Sequence, residues 1–165
     1  MTVGRRIEKL RPEHPVRAFD CGQPDLNTWL LRFALQAQAA HSAVTYLGLE
    51  GERIVGFFSL AAAAVAQAEA PERLAKGQAK QPIPVVLLAR LAVHTEWQGR
   101  GVGRGLLREA ILRTLEAAGI IGARALVVHA KDDPARAFYL RYGFQPSPTD
   151  PYHLVALLKD LKASL

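Results

Sequence analysis

Cysteine is nearly absent from this chain: Cys21 is the only one in 165 residues. An internal disulfide is therefore excluded, and a thiolate-rich metal site lacks its ligands, so no metal is expected. Long apolar runs are scarce too. The longest, "IVGFFSLAAAAVAQA", is short, interrupted and rich in alanine, so no membrane-spanning helix and no membrane partner are expected. The opening "MTVGRRIEKLRPEH" carries charge but no apolar h-region. It argues against a signal peptide and for a cytoplasmic location. Acid is in the minority, with 15 Asp and Glu against 21 Lys and Arg and a formal charge of +6. Such an excess favours polyanionic partners through steering and counterion release, although a solubilising surface would have the same composition.

What is present suffices for a core. Hydrophobic residues make up 50% of the chain, and no repeat or linker divides residues 1–165, so one α/β domain is expected. "RIEKL" (Arg6–Leu10) alternates like a short strand. In Pro24–Ala40, Leu26, Trp29, Leu30, Phe33 and Ala37 recur at helical spacing, the pattern of an amphipathic helix with Pro24 in its first turn. "AVTYLGL" and "RIVGFFSL" read as a hairpin across "EGER". Residues 67–84 carry Pro71, Pro82 and Pro84 and suit a short helix plus a loop. Val85–Val93, "VVLLARLAV", is almost continuously apolar, as expected of a strand buried on both faces. A helix from Gly103 presents Leu107, Ala110, Ile111 and Leu115 on one face and stops at Gly119. "RALVVHA" is a further strand. "DPARAFYLRYG" starts a helix with Asp133 as N-cap and Pro134 next, and "PYHLVALLKDL" reads as a last strand.

Between the apolar strand and the long helix lies "WQGRGVGRGLLREAIL", with Gly99, Gly101, Gly103 and Gly105 at every second position and Arg100 and Arg104 among them. Glycines there let successive backbone N–H groups turn toward an anion, and the helix N-terminus adds its dipole. The dinucleotide pattern G-x-G-x-x-G fails, because counting from Gly99 the third glycine falls on Arg104, and from Gly101 on Leu106. The nucleotide P-loop fails as well, since no Gly-Lys-Ser/Thr occurs.

Gln98-Gly99-Arg100-Gly101-Val102-Gly103 after "RLAV" resembles the pyrophosphate-binding signature Q/R-x-x-G-x-G/A of the GNAT family of N-acetyltransferases. "AFYLRYGF" (Ala137–Phe144) resembles that family's second landmark, the helix after the fifth strand. "FDCGQPDLNTWL" and "PSPTDPYHLVALLKDL" are similar to the family's toxin branch, whose members acetylate the amino group of the amino acid on charged tRNA and block translation.

The resemblance implies a mixed, mostly antiparallel sheet, splayed at an acetyl-CoA site and flanked by helices. It implies pantetheine beside Leu91, Ala92 and Val93, with the acyl group near the N–H of Val93. Pyrophosphate would lie over Gln98, Gly99, Arg100, Gly101, Val102, Gly103 and Arg104, and Asp133 and Phe138 would join the cofactor set. The family's tyrosine, which assists the leaving thiolate, matches Tyr139. Helical spacing puts Tyr142 with Ala135 and Phe138 on the core face and Tyr139 one residue beyond it. A phenol near pKa 10 gives its proton to a thiol near 8.5 only uphill, by about 2 kcal/mol, so a hydrogen bond to sulfur fits better than a prior proton transfer.

His94 and Glu96 are the plausible bases beside the loop; His129 reads as structural, and His41 and His153 show no partner at recognisable spacing. The want of a clear base suits an α-amine, near pKa 7.7, better than a lysine side chain. Arg32 and Arg90 are candidate substrate contacts, alongside Arg5, Arg6, Lys9, Arg11 and the Arg73–Lys80 segment. Arg90 must find a counter-charge, either a phosphate or a carboxylate. An aminoacyl-tRNA substrate, a cognate antitoxin and a homodimer are the partners implied. Acetylation of a small amine or a protein N-terminus, and a non-catalytic CoA-binding module, are the competing readings.

Overall fold

The computed structural model describes residues 5–77 and 81–164; Lys80, counted above among the basic groups, lies outside them. Seven strands form one sheet in the order β1-β2-β3-β4-β5-β7-β6. They are β1 (Arg5–Lys9), β2 (Val44–Glu50), β3 (Arg53–Val65), β4 (Ile83–Val93), β5 (Ala125–His129), β6 (Gln145–Pro146) and β7 (His153–Leu157). The pairs β1–β2, β2–β3, β5–β7 and β6–β7 are antiparallel, and β4–β5 is parallel. The chain groups into two compact units, the first Met1–Ala61 with Ala89–Ala110, the second Ala62–Leu88 with Ile111–Leu165.

In the first unit, β2 and β3 form the expected hairpin, with Val44 opposite Leu60 and a register shift at Gly48/Leu49. Leu10, Phe19, Leu30, Leu47, Leu49 and Phe57 make its core. Phe57 meets Phe19 edge-on at 5.4 Å and lies parallel to Trp29 at 6.2 Å. The expected single helix is three pieces: α1 (Pro24–Thr28), a wide π-type turn (Trp29–Phe33) and α2 (Ala34–Ala39). The amide of Ala34 reaches back five residues to the carbonyl of Trp29. One residue is thereby inserted into the helical repeat. Ala34, at 0%, takes the buried place, and Phe33, expected on the apolar face, is 50% exposed.

The second unit packs Val65, Leu74, Ile83, Val85, Ala125, Val127 and Val155 together. A short helix, α3 (Glu72–Ala75), occupies the proline-interrupted segment, as expected. The last segment is β7 followed by α6 (Leu158–Ser164), not a strand throughout. Arg73 of α3 holds Asp160 of α6 with two bonds, at 2.7 and 3.1 Å. The helix α5 (Asp133–Arg141) is capped by Asp132, whose Oδ1 accepts from the Ala135 amide at 2.9 Å. The expected cap, Asp133, is instead the first helical residue, because Pro134 tolerates the second position equally well. Helix α4 (Val102–Ile121) runs past Gly119 and ends where Gly122 takes φ +78°.

Candidate active site

Strand β4 is buried on both faces only in part. Val85, Val86 and Leu88 are buried, whereas Ala89, Arg90, Leu91 and Val93 are half-buried and Ala92 is buried. The parallel ladder to β5 covers Val86–Leu88, so the main-chain groups of Ala89–Val93 on that edge are not part of it. A strand that leaves its ladder while its side chains stay half-open has backbone N–H and C=O groups to offer a ligand.

Past β4 the chain makes a one-turn helix, Thr95–Trp97, capped by His94, whose Nδ1 accepts from the Glu96 amide at 3.1 Å. His94 is 8% exposed and also packs edge-on against Phe19. Glu96 is held by Arg53, and that guanidinium keeps its carboxyl below the usual range. Both residues weighed as bases are thus engaged in structure: the imidazole as a cap, the carboxylate as an ion-pair partner.

The loop itself is built on two glycines. Gly99 and Gly101 take φ +75° and +82°, a region that disfavours any side chain, and no atom lies within 4 Å of where a Cβ would stand. Gln98 fastens its start, with Nε2 donating to the Cys21 carbonyl at 3.1 Å and to the Val93 carbonyl at 3.0 Å. The side chain expected to face the ligand is therefore spent on the protein. Arg100 stands 5.0 Å from the centre of the Trp97 ring, and Arg5 shares that ring at 5.4 Å. Val102 is buried, Gly103 half-buried and Arg104 exposed. The first N–H groups of α4 have no carbonyl one turn back to accept them, which makes its N-terminus an anion seat.

Underneath, α4 rests on bare backbone. A Cβ on Gly56 would stand 2.6 Å from Leu106 Cδ1 and 2.8 Å from the Ala92 carbonyl, and one on Gly48 3.3 Å from Leu106. Two missing methyls set how closely the helix approaches the hairpin.

In the second unit, Tyr139 is the buried tyrosine of α5, at 6% exposure. Tyr142, expected in the core, is half-buried. The inversion follows from Phe144, just beyond the helix, which covers Tyr139 at 5.4 Å, with Phe138 at 5.1 Å on another side. Burial pushes the Tyr139 phenol well above its ordinary pKa, so the hydroxyl stays protonated. Asp133 accepts a hydrogen bond from the Tyr152 hydroxyl. His129 and His153, opposite each other in the β5–β7 register, stack at 4.3 Å. Arg32 is exposed on the wide turn. Arg90 has no carboxylate partner among the described residues; its guanidinium lies 3.8 Å from the centre of the Trp29 ring. Sequence reasoning missed the stack of Arg90 on Trp29, since nothing in local spacing announces a contact between distant segments. It missed Asp132 as the cap because Asp133 next to it carries the same side chain.

A half-open strand thus runs into a glycine-cornered loop at the N-terminus of α4, an arrangement that turns N–H groups toward an anion. Residues 40–146 match the acetyltransferase (GNAT) domain, and the chain belongs to that family. It is 45% identical over 148 residues to a tRNA-acetylating toxin of Mycobacterium tuberculosis, covering 90% of this chain and 89% of that protein. A KacT variant with one tyrosine changed to phenylalanine superposes with a TM-score of 0.91 at 25% identity, over 98% of this chain and 99% of that one. AtaTR bound with acetyl-CoA gives a TM-score of 0.85 at 25% identity, over 98% of each chain.

Proposed function

We propose that this protein is a cytoplasmic toxin that transfers the acetyl group of acetyl-CoA to the α-amine of an aminoacyl-tRNA. The observation that carries this reading is the 45% identity, across 90% of the chain, to a tRNA-acetylating toxin. The local chemistry agrees with it. Gly99 and Gly101, at positive φ with open space beside them, let the loop and the N-terminus of α4 turn N–H groups toward a pyrophosphate. Arg100 and Arg104 add charge beside them. Leu91, Ala92 and Val93 would hold the pantetheine arm through main-chain groups, and the N–H of Val93 would polarise the thioester carbonyl. The family resemblance adds Asp133 and Phe138 of α5 to the proposed cofactor set.

In the reaction the amine nitrogen attacks the thioester carbon, the C–S bond breaks, and the sulfur leaves as thiolate. The amide nitrogen sheds a proton and coenzyme A ends as the thiol. Tyr139 is the residue assigned to the leaving sulfur. A phenol raised further above a thiol near 8.5 donates a hydrogen bond rather than surrendering its proton. No base is required of the protein, because an α-amine near pKa 7.7 is already partly free at neutral pH. With His94 and Glu96 engaged elsewhere, an α-amine suits this chain better than a lysine side chain. A toxin of this kind implies an antitoxin partner, and we include a homodimer in the proposal.

The test is incubation with labelled acetyl-CoA and separate pools of charged tRNA, uncharged tRNA, peptides and polyamines. Label is expected on charged tRNA and to be lost when the aminoacyl ester is hydrolysed. Label on peptides or polyamines alone overturns the reading in favour of another acetyltransferase. Binding of acetyl-CoA without any transfer overturns it in favour of a non-catalytic module.

A further inference from the structure

Among the described residues Arg90 has no carboxylate as counter-charge. It is half-buried on β4, with its guanidinium carbon over the Trp29 ring, 3.8 Å from the centre. Trp29 is itself pinned by its parallel contact with Phe57, which is fully buried. Arg5, Arg53 and Arg73 are each matched with a carboxylate, Glu50, Glu96 and Asp160, whereas Arg90, like Arg100 over Trp97, meets an aromatic ring instead. Arg90 has no carboxylate and no hydrogen-bond partner among the described residues, and desolvation alone pushes its pKa down. Stacking accounts for one face of the guanidinium but leaves its edge donors open. Such an edge matches a phosphate in two-point fashion.

Phe33, four residues on from Trp29 across the wide turn, is 50% exposed, and Arg32, next to it in the chain, is exposed as well. An open aromatic next to cations is how proteins hold unpaired nucleic acid, with bases stacked and phosphates paired. The coenzyme's pyrophosphate has its own seat in the glycine loop. Arg90 lies about 10 Å back along β4 from Val93, at the usual rise per strand residue.

We propose that Arg90, held over the ring of Trp29, takes a phosphodiester of the unpaired 3′ end of the acceptor RNA, with a base laid on Phe33. This rests on the aminoacyl-tRNA reading above and adds the residues that position that substrate. Trp29 acts through Arg90 and is a positioning residue.

The experiment measures binding of a fluorescent RNA hairpin, with and without an unpaired 3′ end, to the full chain in the absence of acetyl-CoA. Wild-type protein is expected to prefer the hairpin with the unpaired end by about tenfold, a preference that Arg90→Gln and Phe33→Ala abolish. The slope of log Kd against log salt should fall by about 0.7 in Arg90→Gln, the share of one single-strand phosphate. Arg90→Lys keeps the charge but not the planar fork and is expected to lose most of the preference. In turnover, Arg90→Gln should raise KM for aminoacyl-tRNA at least tenfold while kcat falls less than threefold. Phe33→Ala, at an exposed position, keeps the test informative if Arg90 variants fold poorly. Wild-type preference that survives both substitutions overturns the inference and leaves the proposed function standing. Weakened acetyl-CoA binding in Arg90→Gln with unchanged RNA binding overturns it by assigning the cation to the coenzyme. Failure of the wild type to acetylate any charged tRNA is the separate result that sinks the proposed function.

Discussion

Tyr139 and Gly101 are the two residues at which the proposed chemistry is most exposed to test. Tyr139→Phe keeps the ring that Phe138 and Phe144 enclose and removes only the donor. We expect turnover to fall by about a hundredfold or more, with acetyl-CoA affinity measured by calorimetry retained. Full activity in that variant would remove Tyr139 from the mechanism. The pH profile follows from the same residue. The free amine accumulates as pH rises, while the raised phenol remains protonated. So kcat/KM should climb to a plateau near pH 9 and hold through about pH 10, where an ordinary tyrosine would already be losing half its protons. At Gly101, alanine would be forced into φ +82°. KM for acetyl-CoA should rise several-fold while overall stability drops by about 1–2 kcal/mol, readable by denaturant titration. These glycines were legible in the sequence because the backbone conformation itself demands them. Tyr139 was legible only through resemblance. Helical spacing favoured Tyr142 for the core, and the burial is decided by Phe144, which lies outside the helix.

At the scale of elements, the helix–hairpin contact and the β5–β7 pair carry separate expectations. A methyl on Gly56 would collide with the Ala92 carbonyl, which is backbone and cannot swing aside. Gly56→Ala should therefore destabilise the fold by about 1–3 kcal/mol in urea titration. The His153 imidazole is pushed toward its neutral form by burial and then by His129. The unfolded chain takes up a proton near pH 6.5 that the folded one resists, so stability falls as pH drops through that value. The melting midpoint should decline between pH 7.5 and 5.5, and His153→Gln should flatten the decline. The carboxylates with lowered pKa, such as Glu8, Asp20 and Asp160, act at lower pH and do not blur that window.

Elements with strong local patterning were readable: the hairpin, the long helix, the strand before the loop. The wide turn at Trp29–Phe33 was not, because an extra residue in a helical repeat changes hydrogen bonding without changing composition. The stack of Arg90 on Trp29 was equally hidden, being a tertiary contact between segments far apart in the chain.

For the whole molecule the formal charge of +6 predicts unequal salt sensitivity toward the two substrates. Raising salt from 50 to 200 mM should raise KM for aminoacyl-tRNA more than tenfold and KM for acetyl-CoA by less than threefold. Equal responses would mean that the basic excess serves solubility alone.

The fastening of the loop has a kinetic consequence. Gln98 ties its first residue to two carbonyls, and Gly48 and Gly56 seat the helix that follows. A cradle held from both sides loses little entropy when an anion arrives. Coenzyme A should therefore leave a standing cradle instead of waiting for a lid, and its dissociation rate should respond to ionic strength but hardly to solvent viscosity.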